Sequence, residues 1–231
     1  MRNDTVPINR LDDKLIELEK ALYLLKSTLD VYRLISLNAP AIERANAGSA
    51  FFGHVQHLSL EFYVLGICKV FEQATKHRKH ELHSLCAVLD EAATCTLMSE
   101  GPLRDFVAKY ATTHKSPATA GASTPEEVRR VYRGFVRQHA KEYERLQRVR
   151  DKVIAHSEYL ETTKRPQSLP SYDFMEKLLF FAVDLHSAIF TAYLSVHPHP
   201  IKSEGRVAGS ACSALRRLGI DTVKTKFDDD E

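Results

Sequence analysis

Apolar residues recur along most of the chain at steps of three and four residues, which is the period of one helix face. The first repeat lies between about residues 11 and 37 and comprises Leu15, Leu18, Leu22, Leu25, Leu29 and Tyr32. Similar repeats predict helices over about 49–74, 81–98, 103–111, 124–156 and 173–196, with a short one near 211–218. The pattern therefore predicts an all-α fold, a bundle of four to five long helices.

The second predicted helix is apolar over a wide arc, which predicts burial at the centre of the bundle. Its inner side is predicted to hold Phe51, Val55, Leu58, Phe62, Leu65 and Val70.

Two capping signals mark predicted helix starts. In Thr124-Pro125-Glu126-Glu127 a threonine N-cap is followed by proline and by a glutamate at the capping-box position. Asp173 and Glu176 have the same three-residue spacing and predict a second capping box.

The chain changes character after Pro198, where prolines, glycines and an acidic Asp-Asp-Asp-Glu end replace the helical repeats. We therefore predict a helical domain over 1–197 and a flexible C-terminal extension over 198–231.

The composition supports a helical protein. Only 9 Gly and 9 Pro occur in 231 residues, which argues against a turn-rich sandwich or barrel. The four cysteines form no C-x-x-C pair and are interpreted as reduced thiols, and the N-terminus lacks a signal-like apolar run. The expectation is a cytoplasmic protein that does not enter a membrane.

The overall charge of +2 conceals a strong local asymmetry. Residues 129–152 contain nine basic and three acidic residues. Cations recur at every fourth position and would form a stripe about 24 Å long on a continuous helix. We call Arg129, Arg133, Arg137, Lys141 and Arg145 the basic stripe. Together with Lys152 these residues are candidate RNA-binding cations, and the alternative is a solvated helix face.

Arg150 and His156 follow the basic stripe. A histidine can move a proton to or from a 2′-hydroxyl or a leaving oxygen, and a nearby guanidinium can hold the charge that builds on phosphorus. RNA supplies its own nucleophile, so such a pair needs no metal ion. The alternative is that His156 merely caps the end of the helix.

The residues around this pair resemble the motif of a known family. Arg150-Asp151-Lys152-Val153-Ile154-Ala155-His156-Ser157-Glu158 is similar to the Arg-x4-6-His motif of the HEPN superfamily, in its abortive-infection branch related to the AbiU-type phage-defence proteins. The segments 57–63, 67–72 and 81–85 share the resemblance, which covers about residues 10–196.

The resemblance implies a small all-α domain that dimerises and acts as a metal-independent endoribonuclease. Carried over by position, Arg150 would stabilise the phosphate, His156 would be the general acid or base, and Asp151 would orient the pair. Family members of this kind leave a cyclic phosphate and a free 5′-hydroxyl. The implied partners are RNA, with tRNA as one candidate, and an antitoxin or other regulatory protein. The tyrosine that some toxin members carry two residues after the histidine is replaced here by Glu158.

The spacing of the motif independently favours a dimer. Six residues place Arg150 and His156 about 120° and about 9 Å apart on an ideal helix, so one straight helix cannot readily aim both at one phosphate. Either the helix deforms before His156 or a second subunit completes the site.

The leading hypothesis is a toxin or antiviral effector that cleaves RNA through a dimeric Arg-x5-His site. The alternative is a non-catalytic HEPN-like module that binds RNA, nucleotide or a partner protein. No cofactor is predicted, and histidine pairs such as His54 and His57 lack further ligands, so no metal site is predicted.

Overall fold

The computed structural model describes residues 10–72, 84–111, 123–151, 169–201 and 206–220. Within these ranges every regular element is a helix, which confirms the predicted all-α fold. The eight helices of the described part are α1 (Arg10–Arg44), α2 (Ser49–Val70), α3 (Leu85–Ala92), α4 (Gly101–Ala111), α5 (Thr124–Gln138), α6 (Ala140–Val149), α7 (Tyr172–Leu194) and α8 (Arg206–Arg217).

The chain divides into two compact units, and α1, α2, α6 and α7 each contribute to both. The first unit comprises Met1–Ala21, Lys69–Tyr143 and Phe181–His199. The second comprises Leu22–Cys68, Glu144–Phe180 and Pro200–Glu231.

An aromatic cluster forms the core of the first unit. The rings of Phe135 on α5 and Phe181 on α7 stack with centroids 3.7 Å apart. Phe71 stacks against Phe135 and Tyr132, while Phe106 of α4 meets Phe181 edge-on. Because α5 contributes Tyr132 and Phe135 to this cluster, its opposite face is held toward solvent.

The second unit contains a separate apolar cluster that joins α1 and α8. It is built from Leu34, Ile35, Ile42, Cys212, Leu215 and Ile220. Residues 206–217 of the predicted C-terminal extension therefore form a packed helix. The domain boundary at 197/198 itself stays a prediction.

The first predicted helix is confirmed and is longer than expected. The five leucines of its predicted seam are buried, while Tyr32 is half-buried. The helix continues through Pro40 to Arg44.

The predicted inner face of α2 is correct only in part, since Val70 is buried and Val55 and Leu65 are half-buried. Phe51, Leu58 and Phe62 are exposed, and the buried side is formed by Tyr63, Val64, Ile67, Cys68 and Val70. Both faces of α2 are apolar, so the repeat alone did not identify the one that meets the core.

The predicted helix starts shift by one or two residues. Ser123, and not Thr124, is the N-cap of α5, and the Glu126 carboxylate accepts hydrogen bonds from the Ser123 backbone N–H and hydroxyl. Ser171 precedes α7, where its side chain accepts from the Phe174 N–H, so Asp173 lies within the first turn.

The third predicted helix is shorter than expected. It begins after Ser84, whose hydroxyl accepts a hydrogen bond from the Ala87 N–H, and it ends at Ala92. The residues before Ser84, from 81 to 83, lie outside the described ranges.

Among the described helices, α7 alone is long and apolar enough to cross a membrane by composition, and 61% of its apolar window is buried inside the molecule. It also carries His186, which is buried and bonds the Leu15 carbonyl. These features are those of a core helix. The cytoplasmic location stays a prediction.

Candidate functional site

The cationic face of α5 is positioned by its apolar seam. Val128, Val131, Tyr132 and Phe135 are buried, so the intervening arginines lie toward the surface. Arg133 and Arg137 on α5, and Lys141 on α6, are all exposed. We call these three residues of the first unit the basic face. Within the described residues none of them forms an ion pair with a carboxylate, which leaves their charge available to a polyanion.

Arg129 differs from the other cations of the basic stripe. One guanidinium nitrogen donates to the Leu89 carbonyl at 2.6 Å, and the other lies 3.1 Å from the Asp90 carboxylate. These contacts secure the end of α3 to α5. Arg130 is also engaged, 3.5 Å from Glu127. RNA binding by Arg129 stays a prediction. In the structure its side chain connects α5 to the end of α3.

The predicted single helix over 124–156 is wrong, because the chain is interrupted at His139. The backbone of His139 adopts φ −105° and ψ 18°, outside the helical range. The His139 N–H still donates to the Phe135 carbonyl, and the Tyr143 N–H donates to the His139 carbonyl, so the hydrogen-bond ladder continues across this residue. The straight 24 Å stripe predicted from the sequence is therefore interrupted between Arg137 and Lys141.

The end of α6 belongs to the second unit. Leu146 and Val149 are buried, Arg145 is exposed, and Arg148 lies 3.9 Å from Glu144.

Arg150 and Asp151 follow in a π-helical turn and contact each other directly. The Arg150 Nε donates to the Asp151 carboxylate at 2.7 Å, and the Arg150 side chain is 22% exposed. A carboxylate bonded to Nε restricts the rotation of the guanidinium, which gives Asp151 an orienting contact with Arg150.

The α-helix thus widens at Arg150, which precedes His156 by six residues in the sequence. A wider turn changes the direction of the side chains that follow and is a frequent feature of functional sites. His156 and Lys152 lie outside the described residues. The structure therefore describes one half of the predicted catalytic pair.

The comparison with protein families identifies the chain. The HEPN_AbiU2 family, described as AbiU2, matches residues 8–204. The chain belongs to this family. No curated protein and no solved structure shows significant similarity to it.

The family match includes both halves of the motif and the whole basic stripe. It ends before α8, which begins at Arg206. The cluster between α1 and α8 thus combines a helix inside the HEPN_AbiU2 region with one beyond it. The match over residues 8–204 confirms the predicted resemblance to the HEPN superfamily.

No three His, Cys, Asp or Glu residues of the described ranges are grouped to hold a metal ion. The expectation of a metal-free site stays a prediction.

A polar cluster in the second unit was missed by sequence reasoning. Lys26 and Asp30 form a buried ion pair, with Nζ 2.6 Å from the carboxylate. Burial raises the pKa of Asp30, the hydrogen bond and charge of Lys26 lower it, and Glu176 raises it further. Arg33 stacks 4.6 Å over the Tyr172 ring and lies 3.8 Å from Glu176.

This cluster fastens α1 to the first turn of α7. Tyr172 donates to Glu176 at 3.2 Å, and burial raises the pKa of Tyr172. The available signal was the four-residue spacing of Lys26 and Asp30, which matches an ion pair on one helix. The sequence did not reveal that the pair is buried.

Proposed function

We propose that this HEPN_AbiU2 chain is a metal-independent endoribonuclease that acts as a toxin or antiviral defence effector. Membership of the family, with Arg150 and His156 both retained inside the matched region, carries the proposal. The expected substrate is RNA, and tRNA is a candidate.

The proposed reaction uses the 2′-hydroxyl of the RNA as nucleophile. Its oxygen attacks the adjacent phosphorus and loses its proton to a base, while the 5′-oxygen leaves and takes a proton from an acid. The products are a 2′,3′-cyclic phosphate and a 5′-hydroxyl. His156 is assigned the proton transfers and Arg150 the charge on the phosphoryl oxygens.

The need for both a base and an acid supports a two-fold dimer. One chain supplies a single His156, whereas two chains that face each other supply two. In the proposed site one imidazole accepts the 2′-hydroxyl proton, and the other donates to the leaving oxygen.

The orientation of the guanidinium supports the role of Arg150. Its Nε is bonded to Asp151, so its planar group is restrained before RNA binds. A restrained donor loses less conformational entropy when it meets a phosphate.

The exposed cations support the RNA contact. Arg133, Arg137 and Lys141 of the basic face, and separately Arg145 in the second unit, are exposed and form no ion pair with a described carboxylate. Such residues bind phosphates without reading base sequence.

The test is cleavage of total tRNA by the purified full chain in EDTA. We expect His156→Ala to reduce cleavage by about 100-fold or more, and Arg150→Ala by a similar factor. His197→Ala and Arg217→Ala are matched controls, because both residues are exposed and distant in sequence from the motif. Circular dichroism confirms that each variant is folded.

Cleavage that persists unchanged in folded His156→Ala protein would refute the assigned chemistry. RNA binding with no cleavage by the wild-type chain would instead favour the non-catalytic module.

A further inference from the structure

Helix α8 packs on an apolar surface that α1 and α2 form together. Leu34, Ile35 and Ile42 of α1 are buried in this contact, and Phe52 and Val55 of α2 are half-buried against it. We call these five residues the α8-binding surface. It lies wholly within the second unit. The family match ends at residue 204, so a surface of the matched region is covered here by a helix that lies beyond it.

The side of α8 that meets this surface has a simple pattern. Ala208, Cys212 and Leu215 are buried and lie at positions i, i+4 and i+7 of one helix face. Ile220, just beyond the helix, is buried in the same contact. This is the pattern by which a short amphipathic helix binds an apolar groove on another protein.

The segment that carries α8 ends in its own capping motif. Gly219 adopts φ +73°, and the N–H groups of Gly219 and Ile220 donate to the carbonyls of Arg216 and Leu215. This is a Schellman motif, and it brings Ile220 into the same apolar cluster as Leu215. Residues 206–220 therefore contain the helix, its stop signal and its apolar anchors.

Helix α8 has little stability of its own. It contains 12 residues, and Gly209, Ser210 and Ser213 on its exposed side are weaker helix formers than alanine. A helix of this length is marginal in water without tertiary contacts. The contact with α1 and α2 therefore holds α8 in its helical form, and a local opening that breaks the contact also unfolds α8.

The apolar surface of α2 continues beyond the part that α8 covers. Phe51 is 65% exposed, and its ring meets that of Phe52 edge-on, with centroids 5.5 Å apart. Because Phe52 belongs to the α8-binding surface, a longer helix on this surface would also bury Phe51. Such a helix gains apolar burial that α8 does not provide.

We propose that the α8-binding surface is a binding site for one short amphipathic helix, which α8 fills in cis and which a helix of a partner protein fills in its place. The partner helix carries small or branched apolar residues at positions i, i+4 and i+7, as α8 does. Since both helices cannot occupy the surface, the partner binds only chains whose α8 has undocked. The contact of α8 thus regulates access to the surface. The readouts below do not involve RNA, so a chain that fails to cleave RNA leaves this proposal intact.

The first test measures undocking through the thiol of Cys212. Cys212 is 7% exposed in the α8 contact, and Cys68 of α2 is fully buried. If α8 undocks while the rest of the chain stays folded, iodoacetamide should label Cys212 about tenfold or more faster than Cys68 in the full chain, as read by peptide mass spectrometry. Equal rates at the two thiols would mean that α8 leaves only when the whole chain unfolds, which would overturn the proposal.

Two glycines of the same segment supply matched variants. An added Cβ meets no heavy atom within 4 Å at either Gly209 or Gly219, but of the two only Gly219 has a positive φ. Gly219→Ala should speed the labelling of Cys212 about fivefold or more, because an L-residue is strained in that conformation. Gly209→Ala should slow it about twofold to fivefold by favouring the helix. Identical labelling in the two variants would show that Cys212 reacts without undocking and would contradict the proposal.

The decisive test presents the helix in trans. Leu215→Glu in the full chain places a carboxylate in the apolar contact and should undock α8, whereas Ser213→Glu on the exposed side of α8 should not. A fluorescent peptide of residues 206–220 should bind the Leu215→Glu chain at least tenfold more tightly than the Ser213→Glu or wild-type chain, as measured by anisotropy. The same peptide with Leu215→Glu should bind none of them.

Failure of the wild-type peptide to bind the Leu215→Glu chain would overturn the proposal, and so would equal binding to the Leu215→Glu and Ser213→Glu chains. Circular dichroism and thermal melts report whether the remaining helices of the Leu215→Glu chain are folded. Loss of the whole fold in that variant would also count against the proposal, because α8 would then be an inseparable part of the core.

Discussion

At the scale of single residues, the cations of the basic stripe differ in ways that their spacing does not reveal. Arg129 is bonded to Leu89 and Asp90, whereas Arg133 and Arg137 are exposed. The sequence predicted that all three lie on a helix. It did not predict the contact of Arg129, because the bonded carbonyl belongs to α3, 40 residues earlier in the chain.

The buried pair of Lys26 and Asp30 illustrates the same limit. Lys26 is 6% exposed and Asp30 is 2% exposed. Their spacing is ordinary for a surface ion pair, and only the packing of the second unit places them inside. A buried charge is costly unless its partner remains.

We predict that Lys26→Met destabilises the protein strongly, by about 3 kcal/mol, because it leaves the Asp30 carboxylate buried without its partner. The double variant Lys26→Met with Asp30→Leu should lie within about 1 kcal/mol of wild type or be more stable. Urea unfolding at pH 7.5 measures both changes. Lys20→Met, which breaks an exposed pair with Glu17, is the control and should have little effect.

The loss of stability in Lys26→Met should also depend on pH. Lys26 lowers the pKa of Asp30, so its removal raises that pKa further above the ordinary value. A carboxyl with a raised pKa binds its proton more tightly in the folded state, so its contribution to stability is lost as the pH rises through the raised pKa. The deficit of Lys26→Met should therefore be smaller at pH 5 than at pH 7.5. A deficit of equal size at both pH values would contradict the assignment.

At the scale of elements, periodicity predicted the positions of helices better than their orientations. The leucine seam of α1 is confirmed, since its five leucines at steps of three and four residues are all buried. The two faces of α2 are both apolar, and its predicted inner side proved to be partly the exposed one. The interruption of the helix at His139 had no sequence signal, since that position holds neither proline nor glycine.

The close approach of α1 and α2 gives a prediction at this scale. A Cβ at Gly66 would lie 2.6 Å from Leu25 Cδ2, which is fully buried, whereas a Cβ at Gly53 meets nothing within 4 Å. Gly66→Ala should lower the free energy of unfolding by about 1 kcal/mol or more, since overpacking outweighs the gain in helix propensity.

Gly53→Ala on the same helix is the matched control and should raise stability by about 0.5–1 kcal/mol. Equal effects of the two substitutions in chemical denaturation would contradict the close contact at Gly66.

At the scale of the whole molecule, the near-neutral overall charge conceals the excess of basic residues between 129 and 152. The basic face of the first unit is built from exposed residues, while several other described cations are paired, such as Lys14 with Glu91 and Lys109 with Asp184. Sequence reasoning could locate the charge excess. Only the packed structure distinguishes exposed cations from those in structural contacts.

We predict that replacing Arg133, Arg137 and Lys141 together by glutamine weakens RNA binding and reduces its salt dependence. Loss of three phosphate contacts should lower the slope of log K against log salt by about 2 for single-stranded RNA. Fluorescence anisotropy at several salt concentrations measures this slope. The double variant Arg216→Gln with Arg217→Gln, on α8, should leave it unchanged.

The proposed activity depends on the 2′-hydroxyl of the RNA, and the ends of the cleavage products report on it most directly. The decisive measurement is end-group analysis of a defined RNA cut by the full chain in EDTA, beside the same RNA with one 2′-deoxy nucleotide at the cleavage position. We predict 2′,3′-cyclic phosphate and 5′-hydroxyl ends, with no cleavage at the 2′-deoxy position and none by His156→Ala. Products with 3′-hydroxyl and 5′-phosphate ends, or equal cleavage at the 2′-deoxy position, would contradict the account.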